Sequence, residues 1–193
     1  MNLESANLIY RPITESDTDM VLNWRNNPDI KKYFFYRKDI TRQEHLNWLR
    51  NKVDKGFVIQ FIVIVKKTDT PIGSVYFRDI DHETKSAEYG IFIGEKEARG
   101  KGYGLEIATR MISYFFEVLK YEKLYLQAVS SNFTAIKCYS KAGFTVSSTD
   151  SKEISNGNEK VSIDVTYMSI DRTYYTNNAE NFNDNQQSFE FKV

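Results

Sequence analysis

Cysteine and histidine are scarce in this sequence. Among 193 residues there is one cysteine, Cys138, and there are two histidines, His45 and His82. A single cysteine excludes a disulfide within the chain and also excludes a cysteine-rich zinc site. Two histidines argue against a histidine-based metal centre. We therefore expect a protein that uses no metal ion.

Net charge and long apolar runs are lacking as well. The 26 basic and 26 acidic side chains cancel, so no strong field is available to hold nucleic acid or an anionic membrane. The longest apolar run, Phe57 to Val65, is interrupted by Gln60 and is far shorter than the ~20 residues of a membrane span. The start of the chain has no basic segment followed by an apolar one, which predicts no signal peptide. These features indicate a cytoplasmic protein that binds neither nucleic acid nor membranes.

The length is that of a single domain, which we place at residues 1–172. From Asn177 to Gln187 the chain is poor in apolar residues and rich in Asn and Gln, a composition typical of disorder. We therefore predict a polar, flexible tail over residues 173–193. Phe189 and Phe191 alternate at its end and are its best candidates for docking on the domain.

Hydrophobic periodicity predicts an α+β fold. Thr41 and Glu44 form a capping box that opens a helix, and three β-branched or alternating runs after Gly56 are typical of an antiparallel meander. Strand and helix patterns follow each other in the order β-α-α-β-β-β-α-β-α-β-β. The predicted strands are Leu8–Ile13, Phe57–Val65, Ile72–Ile80, Ala87–Ile93, Lys123–Val129, Phe144–Ile154 and Lys160–Ile170, and the predicted helices are Thr14–Arg25, Thr41–Gly56, Leu105–Lys120 and Ala135–Ala142.

The most informative segment is a glycine-rich loop between a strand and a helix. Glycines 100, 102 and 104 allow backbone N–H groups to turn towards one point, and the helix N-terminus behind them adds partial positive charge. Arg99 and Lys101 add full charges. The spacing matches neither the Walker A loop nor the Rossmann fingerprint. The loop is either a pyrophosphate site of another kind or a glycine-rich surface turn.

Two motifs resemble those of the GNAT acetyltransferases. The loop reads Arg99-x-x-Gly102-x-Gly104, and a later segment reads Asn132-x-x-Ala135-x-x-x-Tyr139-x-x-x-Gly143-Phe144. The opening Leu8-x-x-Arg11-Pro12 and the segment Trp24 to Pro28 are similar to the branch that contains ribosomal-protein N-terminal, spermidine and amino-sugar acetyltransferases. The resemblance implies a GNAT fold, with a mixed, mostly antiparallel sheet of about seven strands, about four helices, and strands that splay apart at an acetyl-CoA site.

The resemblance also implies where acetyl-CoA would lie. Its pyrophosphate would contact the N–H groups of the loop, and its pantetheine arm would pair with the backbone of Phe92 and Ile93. A backbone N–H from Ile91 to Ile93 would polarise the thioester, and Asn132 would bind the pantetheine or fix the loop. Lys137 and Lys141 would lie near the 3′-phosphate, although a solvated helix face explains them equally well. The loop residues concerned are Arg99, Gly100, Lys101, Gly102, Tyr103 and Gly104.

Two side chains are candidates for the chemistry of acetyl transfer to an amine. Glu88 lies in the strand before the loop, where a carboxylate between apolar neighbours is suited to accept a proton directly or through water. Tyr139 matches the family position of the acid, and a phenol with a pKa of ~10 suits a departing thiolate. The alternative for Glu88 is an exposed strand carboxylate, and the alternative for Tyr139 is an aromatic ring that only packs. Cys138 has no neighbouring base in sequence, and direct transfer requires no thiol.

The acceptor site is expected between the first two helices, and the residues assigned to it are Arg25, Tyr33, Phe34, Tyr36 and His45. Aromatic faces stack on sugar or uracil rings, and arginine binds phosphate bidentately. The segment resembles acetyltransferases of UDP-linked 4-amino sugars, as in pseudaminic-acid-type glycan biosynthesis. A protein N-terminus, a polyamine and a non-catalytic acyl-CoA-binding module remain alternatives. We expect a small-molecule amine acceptor and a monomer or homodimer.

Overall fold

The structure is a computed structural model that describes residues 3–156 and 159–183. The strands are β1 (Leu3–Glu4), β2 (Leu8–Pro12), β3 (Ile59–Val65), β4 (Thr70–Asp81), β5 (Ser86–Ile93), β6 (Lys123–Val129), β7 (Thr145–Asn156) and β8 (Glu159–Asp171). They form one mixed sheet in the order β1-β2-β3-β4-β5-β6-β8-β7. Every neighbouring pair is antiparallel except β5 and β6, so the predicted α+β fold with a mostly antiparallel sheet is confirmed. The strand beyond the predicted seven is β1, which is too short to show alternation.

The described part of the chain contains the four predicted helices and three further short α-helices. The capping box of the second helix is confirmed, because the Thr41 hydroxyl accepts the Glu44 N–H while the Glu44 carboxylate accepts the Thr41 N–H. The helices are α1 (Thr18–Asn26), α2 (Pro28–Lys31), α3 (Arg42–Trp48), α4 (Tyr103–Ser113), α5 (Phe133–Lys141), α6 (Arg172–Asn177) and α7 (Ala179–Asn183). Helices α3 and α4 each continue into a wide π turn, Leu49–Val53 and Tyr114–Val118.

The chain after β8 differs from the predicted flexible tail. Residues up to Asn183 form α6 and α7, in which Tyr175 and Phe182 are buried. Tyr175 stacks on Phe116 with ring centroids 5.0 Å apart, and its centroid lies 4.9 Å from that of Phe182. Tyr175 and Phe182 thus anchor this segment to the core, although its average composition is polar. Phe189 and Phe191 lie outside the described residues.

The sheet separates two apolar layers. The larger one contains α4 side chains such as Ile107 and Met111 and packs on alternate strand residues such as Val63. The smaller one contains Val21 and Trp24 of α1 and packs on the opposite face. Because successive strand residues point to opposite faces, β3 and β5 contribute to both layers, with Ile62 and Phe92 on the smaller one.

Among the described strands, β5 and β6 form the only parallel pair, and this pair is short enough to open a gap. Strands β5 and β6 are in register from Ser86–Lys123 to Glu88–Tyr125. Beyond Glu88, β5 continues beside β4 as far as Ile93, and β6 continues beside β8 as far as Val129. The two strands therefore diverge in the middle of the sheet, and they leave backbone groups of β5 without a partner strand.

Candidate active site

A cavity of about 940 Å³ lies at the gap between β5 and β6. It brings together most of the residues that the sequence assigns to a site. Those that line it are Arg25, Tyr33, Phe34, Tyr36, His45, Glu88, Ile91, Phe92, Ile93, Arg99, Gly100, Gly102, Gly104, Asn132, Lys137, Tyr139 and Lys141. Two predicted residues, Lys101 and Tyr103, line a separate cavity of about 720 Å³ instead. Their side chains leave the loop on the other side, although their backbone N–H groups belong to the same turn.

The glycine loop has the backbone of an anion site. The Gly102 carbonyl accepts the N–H groups of Leu105 and Glu106, so α4 begins there, and the N–H groups of Tyr103 and Gly104 have no acceptor within the helix. Gly100 and Gly102 have positive φ angles of 74° and 86°. A Cβ atom at either position would meet no heavy atom within 4 Å. The loop therefore offers free donors beside open space, which fits a pyrophosphate.

Arg99 holds the loop to the end of β5. Its Nε donates to the Ile93 carbonyl at 3.1 Å, and its Nη2 donates to the Gly94 carbonyl at 2.9 Å. Two of its five N–H donors are thus committed to the backbone, and its positive charge is held beside the loop.

The backbone of β5 corrects one predicted contact. The Gly94 N–H donates to the Ile72 carbonyl of β4 at 2.7 Å. Because backbone groups of successive strand residues alternate in direction, those of Phe92 also face β4, while those of Ile91 and Ile93 face the gap. Phe92 is therefore not placed to pair with a pantetheine arm. Its side chain instead packs against Trp24 and Phe34, with ring centroids 6.1 and 5.7 Å apart.

Helix α5 forms the opposite wall of the gap. Asn132 caps it, because its side-chain carbonyl accepts the Ala135 N–H at 3.3 Å. Lys137 and Lys141 are exposed along the helix and line the cavity. A Cβ atom added to Gly104 would lie 3.5 Å from the Cys138 sulfur, so the two residues mark the contact between α4 and α5. Burial raises the pKa of the Cys138 thiol, which disfavours the thiolate that a nucleophile requires.

Glu88 is buried, with 5% of its surface exposed. The sequence predicts apolar surroundings for it, but its neighbours in the structure are polar. Arg78 stands directly opposite on β4, and its Nη2 donates to Glu88 Oε1 at 2.7 Å. Gln127 of β6 donates to Glu88 Oε2 at 3.4 Å. The carboxylate is therefore a fixed, paired group on the cavity wall.

Tyr139 lies on α5 against the core. Its ring makes edge-on contacts with Tyr89 and Phe144, both with centroids 6.1 Å apart. Burial raises the pKa of Tyr139 well above its usual value, so the phenol holds its proton at neutral pH. Tyr89 is buried beside it and lines the cavity as well.

The acceptor half of the cavity is built by α1, α2 and α3. The Arg25 guanidinium lies over the Phe34 ring, 3.4 Å from its centroid. Tyr33 and Tyr36 stand at the rim with 40% and 50% of their surfaces exposed. His45 is buried, and its Nδ1 lies 3.2 Å from the Thr18 hydroxyl. Burial and the nearby Arg25 charge lower the pKa of His45.

Comparison with known proteins identifies the fold and the chemistry. Residues 7–145 match the acetyltransferase (GNAT) domain family. The chain belongs to the GNAT acetyltransferases. As a GNAT acetyltransferase, the chain transfers an acyl group from acyl-CoA to an amine. Among the described residues, no group of three or more histidine, cysteine or acidic side chains is placed to hold a metal ion. No helix in the described part of the chain is long and apolar enough to cross a membrane.

Several relatives of this GNAT domain are known. Acetyltransferase PseH of Campylobacter jejuni is 29% identical over 137 residues, which cover 71% of this chain and 82% of PseH. An uncharacterized protein of Methanocaldococcus jannaschii is 27% identical over 144 residues, which are 73% of this chain but 28% of that protein. The crystal structure of a Vibrio cholerae spermidine N-acetyltransferase with CoA and spermine superimposes with a TM-score of 0.80 at 25% identity, covering 89% of this chain and 99% of that one.

Three residues of this GNAT site were not singled out from the sequence: Arg78, Gln127 and Tyr89. Arg78 could have been predicted from the sequence, because a hairpin centred on residue 83 places residue 78 opposite residue 88. Gln127 and Tyr89 were not, since each lies in a strand whose neighbours and divergence are set by the tertiary fold.

Proposed function

We propose that this enzyme acetylates a primary amine of a nucleotide-linked amino sugar, with Glu88 as base and Tyr139 as acid. The observation that carries the proposal is the Arg25 guanidinium, which lies on the Phe34 ring in the cavity wall. Arg25 makes no ion pair with any residue in the described part of the chain. Burial lowers the pKa of Arg25 and the nearby Arg78 charge lowers it further, so an acceptor anion would relieve an unfavourable arrangement.

The carboxylates of the acceptor half are largely engaged. Glu44 accepts from the Thr41 backbone, and Glu88 is paired with Arg78. Asp29 stays at the rim, with the Lys32 Nζ 3.9 Å away. A polyamine needs free carboxylates along its length, whereas a diphosphate needs cations. The charge pattern therefore favours an anionic acceptor over a polyamine.

Aromatic rings support a nucleotide or sugar in the same place. Tyr33 and Tyr36 are half exposed at the rim, beside the Phe34 ring that carries Arg25. Rings at such a rim offer stacking faces to a uracil or a sugar. Solvent-exposed rings next to a guanidinium are a combination that a peptide terminus alone would not require. The cytoplasmic location and the monomeric or homodimeric state stay predictions.

In the proposed reaction the amine attacks the thioester carbonyl. Glu88 accepts the proton that the amine loses, directly or through water. A backbone N–H of Ile91 or Ile93, which faces the gap, donates to the carbonyl oxygen as negative charge develops on it. Tyr139 then donates its proton to the departing sulfur. Lys137 and Lys141 supply positive charge near the outer end of the cofactor.

The experiment offers acetyl-CoA with UDP-linked amino sugars, spermidine, and peptides that begin with Ser or Ala, and it follows thiol release. We expect the amino-sugar nucleotide to turn over fastest and UDP alone to compete with it. Arg25→Ala should raise the acceptor KM by about tenfold, as for a lost charged hydrogen bond, and leave the acetyl-CoA KM unchanged.

The matched control is Arg42→Ala, because Arg42 is an exposed arginine that pairs with Asp19. It should change neither KM. Faster turnover of spermidine or of a peptide than of any amino-sugar nucleotide would refute the proposed acceptor and leave the acetyltransferase activity intact.

A further inference from the structure

The two oxygens of Glu88 face different strands. Oε1 accepts from Arg78 Nη2 at 2.7 Å on the β4 side. Oε2 accepts from Gln127 Nε2 at 3.4 Å on the β6 side, where Gln127 lies two residues beyond the last β5–β6 pair, Glu88–Tyr125. The second oxygen is thus directed to the gap at which the strands diverge.

The orientation of the Gln127 amide is set by a lysine. Lys152 Nζ donates to Gln127 Oε1 at 3.3 Å. An ammonium group donates but does not accept, so the amide must turn its carbonyl to Lys152 and its NH₂ group to Glu88. A flipped amide would place two oxygens against each other at Glu88.

The same lysine reaches the acceptor segment. Its Nζ lies 4.9 Å from the centroid of the Phe35 ring, within the run of rings from Tyr33 to Tyr36. Phe35 also lines the cavity. A continuous series of contacts therefore runs from the acceptor segment through Lys152 and Gln127 to the oxygen of Glu88 that faces the gap.

We propose that Gln127 is a positioning residue for Glu88 and that Lys152 fixes the orientation of its amide. Gln127 holds Oε2 towards the gap, and its bond at 3.4 Å is long enough to be replaced by an incoming amine N–H. This inference rests on the proposed role of Glu88 as base. Neither residue needs to touch the reacting atoms for the carboxylate to be held in place.

Gln127→Leu removes the bond, and Lys152→Met removes the group that orients the amide. Each should lower kcat about fivefold to tenfold, a value below the full effect of a charged hydrogen bond because the bond is long. The acetyl-CoA KM should stay unchanged. Lys152→Arg keeps a cation that only donates, so it should restore kcat to within about twofold.

The control is Lys160→Met, which removes an exposed lysine from the other strand of the same hairpin, where it pairs with Glu153. It should have the kcat of the unmodified enzyme. In a Glu88→Gln background, Gln127→Leu should cause no further loss, because the two residues act as one unit. Thermal unfolding of each variant separates a folding defect from a kinetic one, and Lys152→Met changes only an exposed side chain if Gln127→Leu does not fold.

The outcomes distinguish this inference from the proposed function. If Glu88→Gln is slow while Gln127→Leu and Lys152→Met have normal kcat, the base stands and the positioning role is refuted. If Glu88→Gln has normal kcat, Glu88 is not the base, and both proposals are refuted. An equal loss of kcat in Lys160→Met would attribute the effect to hairpin charge and would also refute the inference.

Discussion

Gly102 provides a direct test of the cofactor loop because the chain contains a matched glycine elsewhere. Gly102 and Gly56 have φ angles of 86° and 75°, and in both a Cβ atom would meet no heavy atom within 4 Å. Gly102 starts α4 on the cavity wall, whereas Gly56 follows the π turn after α3 and does not line the cavity. The two positions therefore share backbone strain and differ in the expected ligand.

The cost of a side chain can be worked out for both. Alanine in the left-handed region costs roughly 1–2 kcal/mol. For a domain of this size, 1 kcal/mol lowers the Tm by about 2–4 °C, so Gly56→Ala and Gly102→Ala should each lose about 2–8 °C. Only at Gly102 does the new methyl group occupy the space above the free N–H groups. CoA affinity should fall at least about tenfold there, which corresponds to about 1.4 kcal/mol, and Gly102→Val should abolish measurable binding.

Calorimetric titration of CoA and thermal unfolding with and without CoA measure the two effects separately. The expected pattern is a shared loss of Tm and a loss of CoA affinity confined to Gly102→Ala. If Gly102→Ala binds CoA as tightly as Gly56→Ala does, the loop does not receive the pyrophosphate, and the assignment of the cofactor site is wrong.

Two further predictions concern catalysis and pH. Tyr139→Phe should lower kcat about 10²-fold with little change in CoA affinity, as expected for a lost general acid. Glu88→Gln should lower the rate most at low pH, where the amine is hardest to deprotonate. Normal steady-state rates in both variants would show that these two residues are not the catalytic acid and base. His45 has a lowered pKa in the folded protein, so the unfolded chain binds more protons and stability should fall as the pH drops below about 6.5. His45→Gln should reduce that loss in urea unfolding between pH 7 and 5, and an equal reduction in His82→Gln, at an exposed turn, would contradict the assignment.

Local features of the site were predictable from local sequence. The capping box at Thr41 and the cap at Asn132 each depend on residues within three positions of each other, and both are present. The glycine loop is a single continuous segment, so its position before α4 is visible in the sequence. The pairing of Arg78 with Glu88 needs only the register of one hairpin.

Features that depend on the three-dimensional path of the chain were not predictable. The sequence pattern predicts that Arg99 contributes positive charge to the loop. In the structure its guanidinium also binds carbonyls at the end of β5, because the loop folds back on that strand. Lys101 and Tyr103 line another cavity, since the tight turns at the glycines reverse the direction of alternate side chains. Tyr175 and Phe182 are too few to alter the composition of a polar segment, yet they are enough to anchor it.

The alternation of β5 explains why the strand divergence matters to the proposed chemistry. Glu88 and Phe92 belong to the face that carries α1 and α2, whereas Tyr89 belongs to the face that carries α4 and α5, from which Tyr139 projects. In a continuous sheet, the proposed base and acid would be separated by the backbone. Because β6 leaves β5 after Glu88, both side chains line one cavity, and the backbone N–H groups of Ile91 and Ile93 face it. In the proposed mechanism the amine approaches from one face and the thiol leaves on the other, with the acyl carbonyl between them. We therefore expect the gap to allow direct transfer without an enzyme nucleophile.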